Sequence, residues 1–444
     1  MKNNKYNISE NDCFRCEKKT GTIQIGRRQF IGGIAPAALT MTIVPRHVMG
    51  GNGYVAKEIV DTYYSKFRED QKPGSCRAYS DFRELFEKEK DINAVKVMTP
   101  DHLHGLISLA AMKRGIHVTT HKPISNRLEE GFRVIEQAKK TNVTTHLIAW
   151  DSNGSMDQVM GWIREGAIGT LREVHNWTNR PVWPQYPTLP TDNPAVPKGM
   201  DWDIWLGPEA ERPYHPNFTN MVFRGWYDFG GGSMADMGHY SLWTVFKALE
   251  LEAPTLVEPN FSHVCGIHDS AAFQVKNNYS FPLASSVRFK YPYRGSRPAV
   301  DLIWYDGGMR PPVPEEVYAD NMELPAEGMM FVGDQGKILA GFHVNNPRLI
   351  PEKRMEGFSM QEPVKKERTH GFRLFIDAIK AGKQCPGSFR EAAELTEAIN
   401  LYAVALRSGR ILKYDSARRK ILNVAEANNF LSREYRTGWN PDTI

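Results

Sequence analysis

Ile92-Asn93-Ala94-Val95-Lys96-Val97-Met98-Thr99-Pro100-Asp101-His102 is the stretch on which the fold turns. Its short apolar, partly β-branched run reads as a buried strand, and Pro100, which lacks an N–H, stops it. Downstream, the spacing predicts a helix from His102 to Arg114 and a strand Ile116-His117-Val118-Thr119-Thr120, ended by His121-Lys122-Pro123. A helix from Leu128 to Lys140 and a strand from Val143 to Trp150 follow. Upstream, Lys57 to Phe67 is helical in pattern, and Tyr79 to Phe86 starts another helix with Ser80 or Asp81 as N-cap. Strand and helix alternate across short loops, the signature of a parallel doubly wound sheet. Ligands of such sheets sit beyond the carboxyl ends of the strands, here Thr99–His102, His121–Pro123 and Trp150–Asn153.

After Asn153 the pattern changes. One more helix, Met156 to Glu165, leads into a strand Leu171 to Trp177 and then a loop rich in proline and aromatic residues. From Leu256 to His343 the chain alternates as antiparallel strands, and helices at roughly 370–383 and 390–408 close it. Between these lies Gly230-Gly231-Gly232-Ser233-Met234-Ala235-Asp236-Met237-Gly238-His239-Tyr240. An acid, a base and a hydroxyl beside a permissive backbone suit proton chemistry on a small polyol. The same letters also fit a tight turn opening a helix, with Ser233 or Asp236 as its N-cap.

With 444 residues, 41% apolar and 24% charged, the chain has the composition of an ordinary globular protein of two or three domains. Its net charge of +5 is spread without long runs, which argues against nucleic acid and membrane surfaces as partners. Five cysteines are too few and scattered for a disulfide framework, and Cys13-Phe-Arg-Cys16 has no second pair to complete a metal site. No metal site is expected. Gly26-Arg27-Arg28-Gln29-Phe30-Ile31, followed by a weakly apolar run to Pro45, reads as a twin-arginine export signal, too short to span a bilayer. A periplasmic, exported protein is therefore expected.

The motifs, taken together, are similar to those of the Gfo/Idh/MocA oxidoreductases over nearly all of 27–444. Thr99-Pro100-Asp101-His102-Leu103-His104 resembles the family's T-P-x-x-x-H loop, and Thr120-His121-Lys122-Pro123 stands where the family has E-K-P. Asp201 to Pro208 and Phe331 to Lys337 resemble signatures of its second domain, and Gly232 to Tyr240 its glycine-rich D-x-G-x-H segment. The resemblance implies an incomplete doubly wound, Rossmann-like parallel sheet followed by an α/β domain with a large, mostly antiparallel open sheet used for homo-oligomerisation. The expected division is a leader and linker over 1–48, a truncated nucleotide-binding domain over 49–152 and a C-terminal domain over 153–444. It implies NAD or NADP as cofactor and hydride transfer at a hydroxyl-bearing carbon of a sugar or cyclitol. Lys122 would polarise or deprotonate that hydroxyl, His239 or Tyr240 would carry the proton, with His239 preferred, and Asp236 would orient them. Thr99, Pro100, His102, His121, Lys122 and Trp150 would line the nicotinamide side of the cleft.

Several departures from the family pattern stand out. His121 replaces a glutamate, Tyr240 falls where the family's base is expected, and Trp243 stands where a carboxylate is common. The opening strand, G-x-G-x-x-G turn, helix and second strand are missing, and Gly50-Gly51-Asn52-Gly53 reads as a linker turn with no strand before it. Two other functions follow as alternatives: glycoside hydrolysis assisted by tightly held NAD, in which Trp177, Trp183, Tyr186, Trp202, Trp205 and Trp226 could stack on sugar although core packing is the commoner use for at least half of them, and a catalytically silent sugar-binding or assembly module.

Overall fold

The computed structural model describes residues 41–44 (backbone alone), 77–149, 155–358 and 371–444. The export signal, the Cys13–Cys16 pair, Gly50–Gly53, the Lys57–Phe67 helix and Trp150 to Asn153 lie outside the described residues.

Four parallel strands form the first sheet in the order β1 (Met41–Val44), β2 (Ala94–Val97), β3 (His117–His121), β4 (Thr145–Ile148). Val95, Val97 and Val118 are fully buried, as expected for a sheet covered on both faces. One element departs from the sequence reading. A strand does precede Gly50–Gly53: β1 runs parallel to β2, register Met41 to Ala94 through Val44 to Val97, within the run assigned to the leader. Thr42, Ile43 and Val44 are strand-forming residues, and β2 otherwise presents an open edge for them to pair with.

Helix α1 (Phe82–Lys88) is capped by Asp81, whose carboxylate accepts from the Arg83 N–H. Helix α2 (Asp101–Lys113) is buried along nearly its whole length, and α3 (Leu128–Lys140) is amphipathic and packs beside it. After α4 (Ser155–Arg164), β5 (Leu171–Trp177) enters a second sheet. Helices α5 (Trp202–Leu206) and α6 (Gly232–Ala248) come next, then β6 (Leu256–Phe261), the exposed hairpin β7 (Cys265–His268) and β8 (Ala271–Gln274), β9 (Ser285–Tyr291) and β10 (Val300–Tyr305). The chain continues through α7 (Glu315–Ala319), β11 (Gly328–Gly333), β12 (Lys337–Ala340), β13 (Arg348–Ile350), α8 (Gly371–Lys380), α9 (Ala393–Ser408), β14 (Leu412–Asp415) and β15 (Lys420–Ile421).

The nine-stranded order is β13-β12-β11-β5-β10-β9-β6-β14-β15, antiparallel except where β10 lies parallel to β5. Along β10 the side chains divide between faces: Leu302 and Trp304 join the main core beneath α6 and α9, while Ile303 and Tyr305 join a smaller cluster on the other face. Helix α9 packs on α6, on β6 and on α3, and so ties the second sheet to the first.

The glycine run starts α6 but is not capped as expected. Gly231 is the N-cap residue and makes no side-chain capping bond, while Ser233 and Asp236 lie inside the helix. The glycines serve close packing. Gly232 has φ of +69°, and a Cβ there would sit 2.6 Å from the Phe281 ring; one on Gly230 would sit 2.8 Å from the Arg224 carbonyl.

Ser233 instead donates to Asp306, a fully buried carboxylate that also accepts from Tyr402 Oη at 2.8 Å, Trp304 Nε1 at 3.0 Å, and Ser285 N and Oγ at 2.7 and 2.9 Å. Burial pushes the Asp306 carboxyl up, and these hydrogen bonds oppose the shift. This knot fixes the start of α6 against β10 and α9. Asp306→Ala would orphan these buried donors, and a loss on the order of 3–5 kcal/mol is expected. Urea denaturation followed by circular dichroism checks it: a midpoint matching the parent would remove the knot from the account of the fold.

Candidate active site

The parallel register aligns the strand ends, so Thr99-Pro100 after β2 and His121-Lys122 at β3 lie side by side. His104 on α2 locks the two loops together, with Nδ1 2.7 Å from the Pro123 carbonyl and Nε2 2.7 Å from the Thr99 carbonyl. Against these ends lies α6, which presents Asp236 and Tyr240 on one face, four residues apart.

Lys122 Nζ donates to Asp236 Oδ1 at 2.5 Å, and its side chain is only 2% exposed. The same oxygen lies 3.3 Å from Arg224 Nε, and Oδ2 lies 3.5 Å from Arg180 Nε. Burial pushes the Lys122 ammonium below its ordinary pKa, the Asp236 charge pulls the other way, and Arg224 adds to the lowering. For Asp236, burial alone would raise the pKa, but Lys122, Arg224 and Arg180 together hold it below the usual carboxylate range. The pair therefore holds an ammonium that gives up its proton more readily than a free lysine, beside a carboxylate that stays ionised.

Lys122 Nζ lies 5.3 Å from the centre of the Tyr240 ring, a cation–π contact. Tyr240 Oη is 3.3 Å from His121 Nε2, and burial, with the Asp236 charge, raises the phenol pKa. Tyr240 thus holds its proton and is placed to donate it.

His239 lies in the interior. It is fully buried, neither ring nitrogen makes a well-formed hydrogen bond among the described residues, and burial, reinforced by the Lys122 charge and opposed by the Ala235 backbone, lowers its pKa to about 3. The ring stays neutral near pH 7. His102 also departs from its expected place: Nε2 is 2.8 Å from the Trp205 carbonyl and the ring packs on Trp205 and Phe229, so it braces the second domain rather than lining the cleft. Thr99 and Pro100 are buried at the strand end, as is Lys122.

The aromatic run proposed as a sugar platform is mostly core. Trp177, Trp183, Trp205 and Trp226 are 4% exposed or less, with Trp202 stacked on Trp205 and Tyr186 on Trp226.

Two residues beside Asp236 carried no local signal, Arg180 in the loop after β5 and Arg224 in a 3₁₀ turn before the glycines, while Asp101, at the start of α2, lies within the Thr99–His104 motif without a role assigned to it. Asp101 is 1% exposed, and neither carboxylate oxygen receives a hydrogen bond among the described residues. Such an orphaned acceptor beyond a strand end suits a group that brings N–H or O–H donors, as the nicotinamide end of a dinucleotide does. A cavity of about 870 Å³ bounded by Met160, Trp243, Lys247 and Arg297 shares no residue with this cluster.

Among curated proteins the chain is similar to levoglucosan dehydrogenase of Pseudarthrobacter phenanthrenivorans, 32% identical over 94 residues, which are 21% of this chain and 24% of that protein. It is similar also to the uncharacterised oxidoreductase YfiI of Bacillus subtilis, 29% identical over 103 residues, 22% and 26% of the two chains. The aligned part thus spans about a quarter of the length of these curated relatives. Among solved structures the fold is similar to the WlbA dehydrogenase of Bordetella pertussis, in complex with NADH and UDP-GlcNAcA, with a TM-score of 0.50 at 14% identity, covering 81% of this chain and 88% of that one. The family model described as "Oxidoreductase family, NAD-binding Rossmann fold" matches residues 46–148. The companion "Oxidoreductase family, C-terminal alpha/beta domain" matches 156–260 and 318–441. Matched through both of its domains, the chain belongs to the Gfo/Idh/MocA family of oxidoreductases.

Proposed function

We propose that this protein is a dehydrogenase that removes hydride from a hydroxyl-bearing carbon of a sugar, with NAD as its cofactor. The observation that carries the reading is Lys122, buried at a strand end and hydrogen-bonded to Asp236, with Tyr240 alongside. The match to an NAD-binding Rossmann model supports the cofactor, and the partial likeness to levoglucosan dehydrogenase supports the sugar.

A bound nicotinamide supplies the acceptor for the hydride. The remaining chemistry belongs to the chain. As the C–H bond gives up its electron pair, the carbinol O–H proton passes to the Lys122 amine and the C–O bond becomes a carbonyl. Lys122, once an ammonium, is stabilised by Asp236. Tyr240 donates a hydrogen bond to the reacting oxygen, and His121 Nε2, 3.3 Å from the phenol oxygen, orients it. Thr99, Pro100 and Asp101 would hold the nicotinamide end. Export by the twin-arginine route, from Arg27-Arg28, and self-association through the large sheet belong to the same reading.

Calorimetry with NADH and NADPH, followed by a screen of aldoses, uronic acids and cyclitols for cofactor reduction at 340 nm (the usual wavelength for the reduced nicotinamide), tests it. Binding of NADH and turnover of at least one sugar are expected. Failure of both cofactors to bind at millimolar concentration would sink the reading.

A further inference from the structure

Resting on the dehydrogenase reading of this cleft, the charges around Asp236 say something about the substrate. Three cationic side chains, Lys122, Arg224 and Arg180, lie within 3.5 Å of one carboxylate. Lys122 is matched by Asp236 through a hydrogen bond. Arg224, 7% exposed, has a second carboxylate near it, with Nη2 3.9 Å from Asp101 Oδ1. That leaves Arg180. Among the described residues its guanidinium is near no carboxylate except the already shared Asp236, and its Nε is buried without a hydrogen bond. Its side chain is one-third exposed.

Arg224 carries the second observation. Its Nε, on a side chain more than nine-tenths buried, also lacks a hydrogen-bond partner among the described residues although it lies 3.3 Å from Asp236 Oδ1. Guanidinium donors left unfilled at a partly desolvated site are costly unless an acceptor completes them. A dinucleotide does not meet that need here. Its pyrophosphate belongs at a helix N-terminus of the parallel sheet, and an oxidised nicotinamide adds positive charge at the strand ends.

We propose that Arg180 is the specificity residue of this cleft and that it reads an anionic group, a carboxylate or a phosphate, on the sugar that Lys122 deprotonates. A guanidinium offers several donors in a fixed planar fork, the geometry that pairs with either group. Arg180 stands at the end of β5, two residues past the core-anchored Thr178, and its backbone carbonyl accepts from Gly307 N–H, so the side chain is presented from a fixed base.

The test is calorimetry on the full chain saturated with NADH, using matched ligands: glucose, glucuronate and glucose 6-phosphate, and the galactose counterparts. At least one acid or phosphate is expected to bind tenfold or more tightly than its neutral parent, and which one does so tells the two anions apart. Arg180→Met is expected to erase that preference, a weakening of about ten- to hundredfold for the anion, with a much smaller change for the neutral sugar. Arg180→Lys should recover part of it. The proposal is overturned if no anion in the panel outbinds its parent, or if Arg180→Met weakens neutral and anionic sugars equally. The two readings fail separately. Oxidation of neutral sugars without anion preference removes this inference and keeps the dehydrogenase. Arg180-dependent anion binding with no hydride transfer does the reverse.

Discussion

Lys122→Met is expected to abolish turnover while leaving a folded protein that still binds NADH. Removing one member of a buried ion pair normally strands the other charge at a cost of several kcal/mol. Here Asp236 keeps Arg224 at 3.3 Å and Arg180 at 3.5 Å, so the carboxylate is not left unpaired. Loss of the group that accepts the hydroxyl proton should cost about 10²–10⁴ in kcat. The pH dependence follows from the same geometry. Burial, helped by Arg224, sets the Lys122 pKa below the 10.5 of a free lysine, and the neutral amine is the form that takes the proton. Oxidation in the parent should therefore rise with pH through the Lys122 pKa and level off above it. The sign for stability is also set. A lysine whose folded pKa is depressed carries no penalty above its unfolded value, and the penalty grows as pH falls below that value toward the folded one. Lys122→Met lifts this penalty, so its stability near neutrality should hold even as its activity goes. A variant that turned over sugar at more than a tenth of the parent rate would remove Lys122 from the mechanism.

Much of this was legible in the letters, for reasons that differ from element to element. The helix at 128–140 and the strand at 171–177 carry their periodicity on their own surfaces, and both were read to the residue. The strand Met41–Val44 was not, because its pairing partner lies some fifty residues away and it falls within the run assigned to an export leader. At the active site, Lys122 and Asp236 could be found because each stands in a local motif. Their mutual contact could not, since 114 residues separate them. Arg180 and Arg224 sit in segments without periodicity, and they meet Asp236 only in the folded chain. The aromatic residues fit either role on their letters alone. A tryptophan's letter is the same in a core as on a sugar platform, and here the fold buries most of them.

Tyr240 and His239 stand next to each other in sequence, and the fold separates their roles. Tyr240→Phe is expected to lower turnover by about 10²-fold with little change in stability, because it removes one oxygen from a partly exposed ring whose hydroxyl faces His121. A phenol held above its ordinary pKa cannot serve as a base near pH 7, but it is well suited to donate to an oxygen that gains negative charge. His239 makes no such contact. Its imidazole is sealed in the interior at a pKa of about 3, and among the described residues neither nitrogen makes a well-formed hydrogen bond. An unpaired buried polar group costs free energy that an apolar side chain of similar size does not. His239→Leu should therefore leave stability unchanged or raise it, and should spare most of the activity. Parallel measurement of kcat and of the urea midpoint for both variants decides the matter. If His239→Leu lost activity a hundredfold while Tyr240→Phe kept it, the proton would travel through the imidazole, and the interior position of His239 would have to open during turnover.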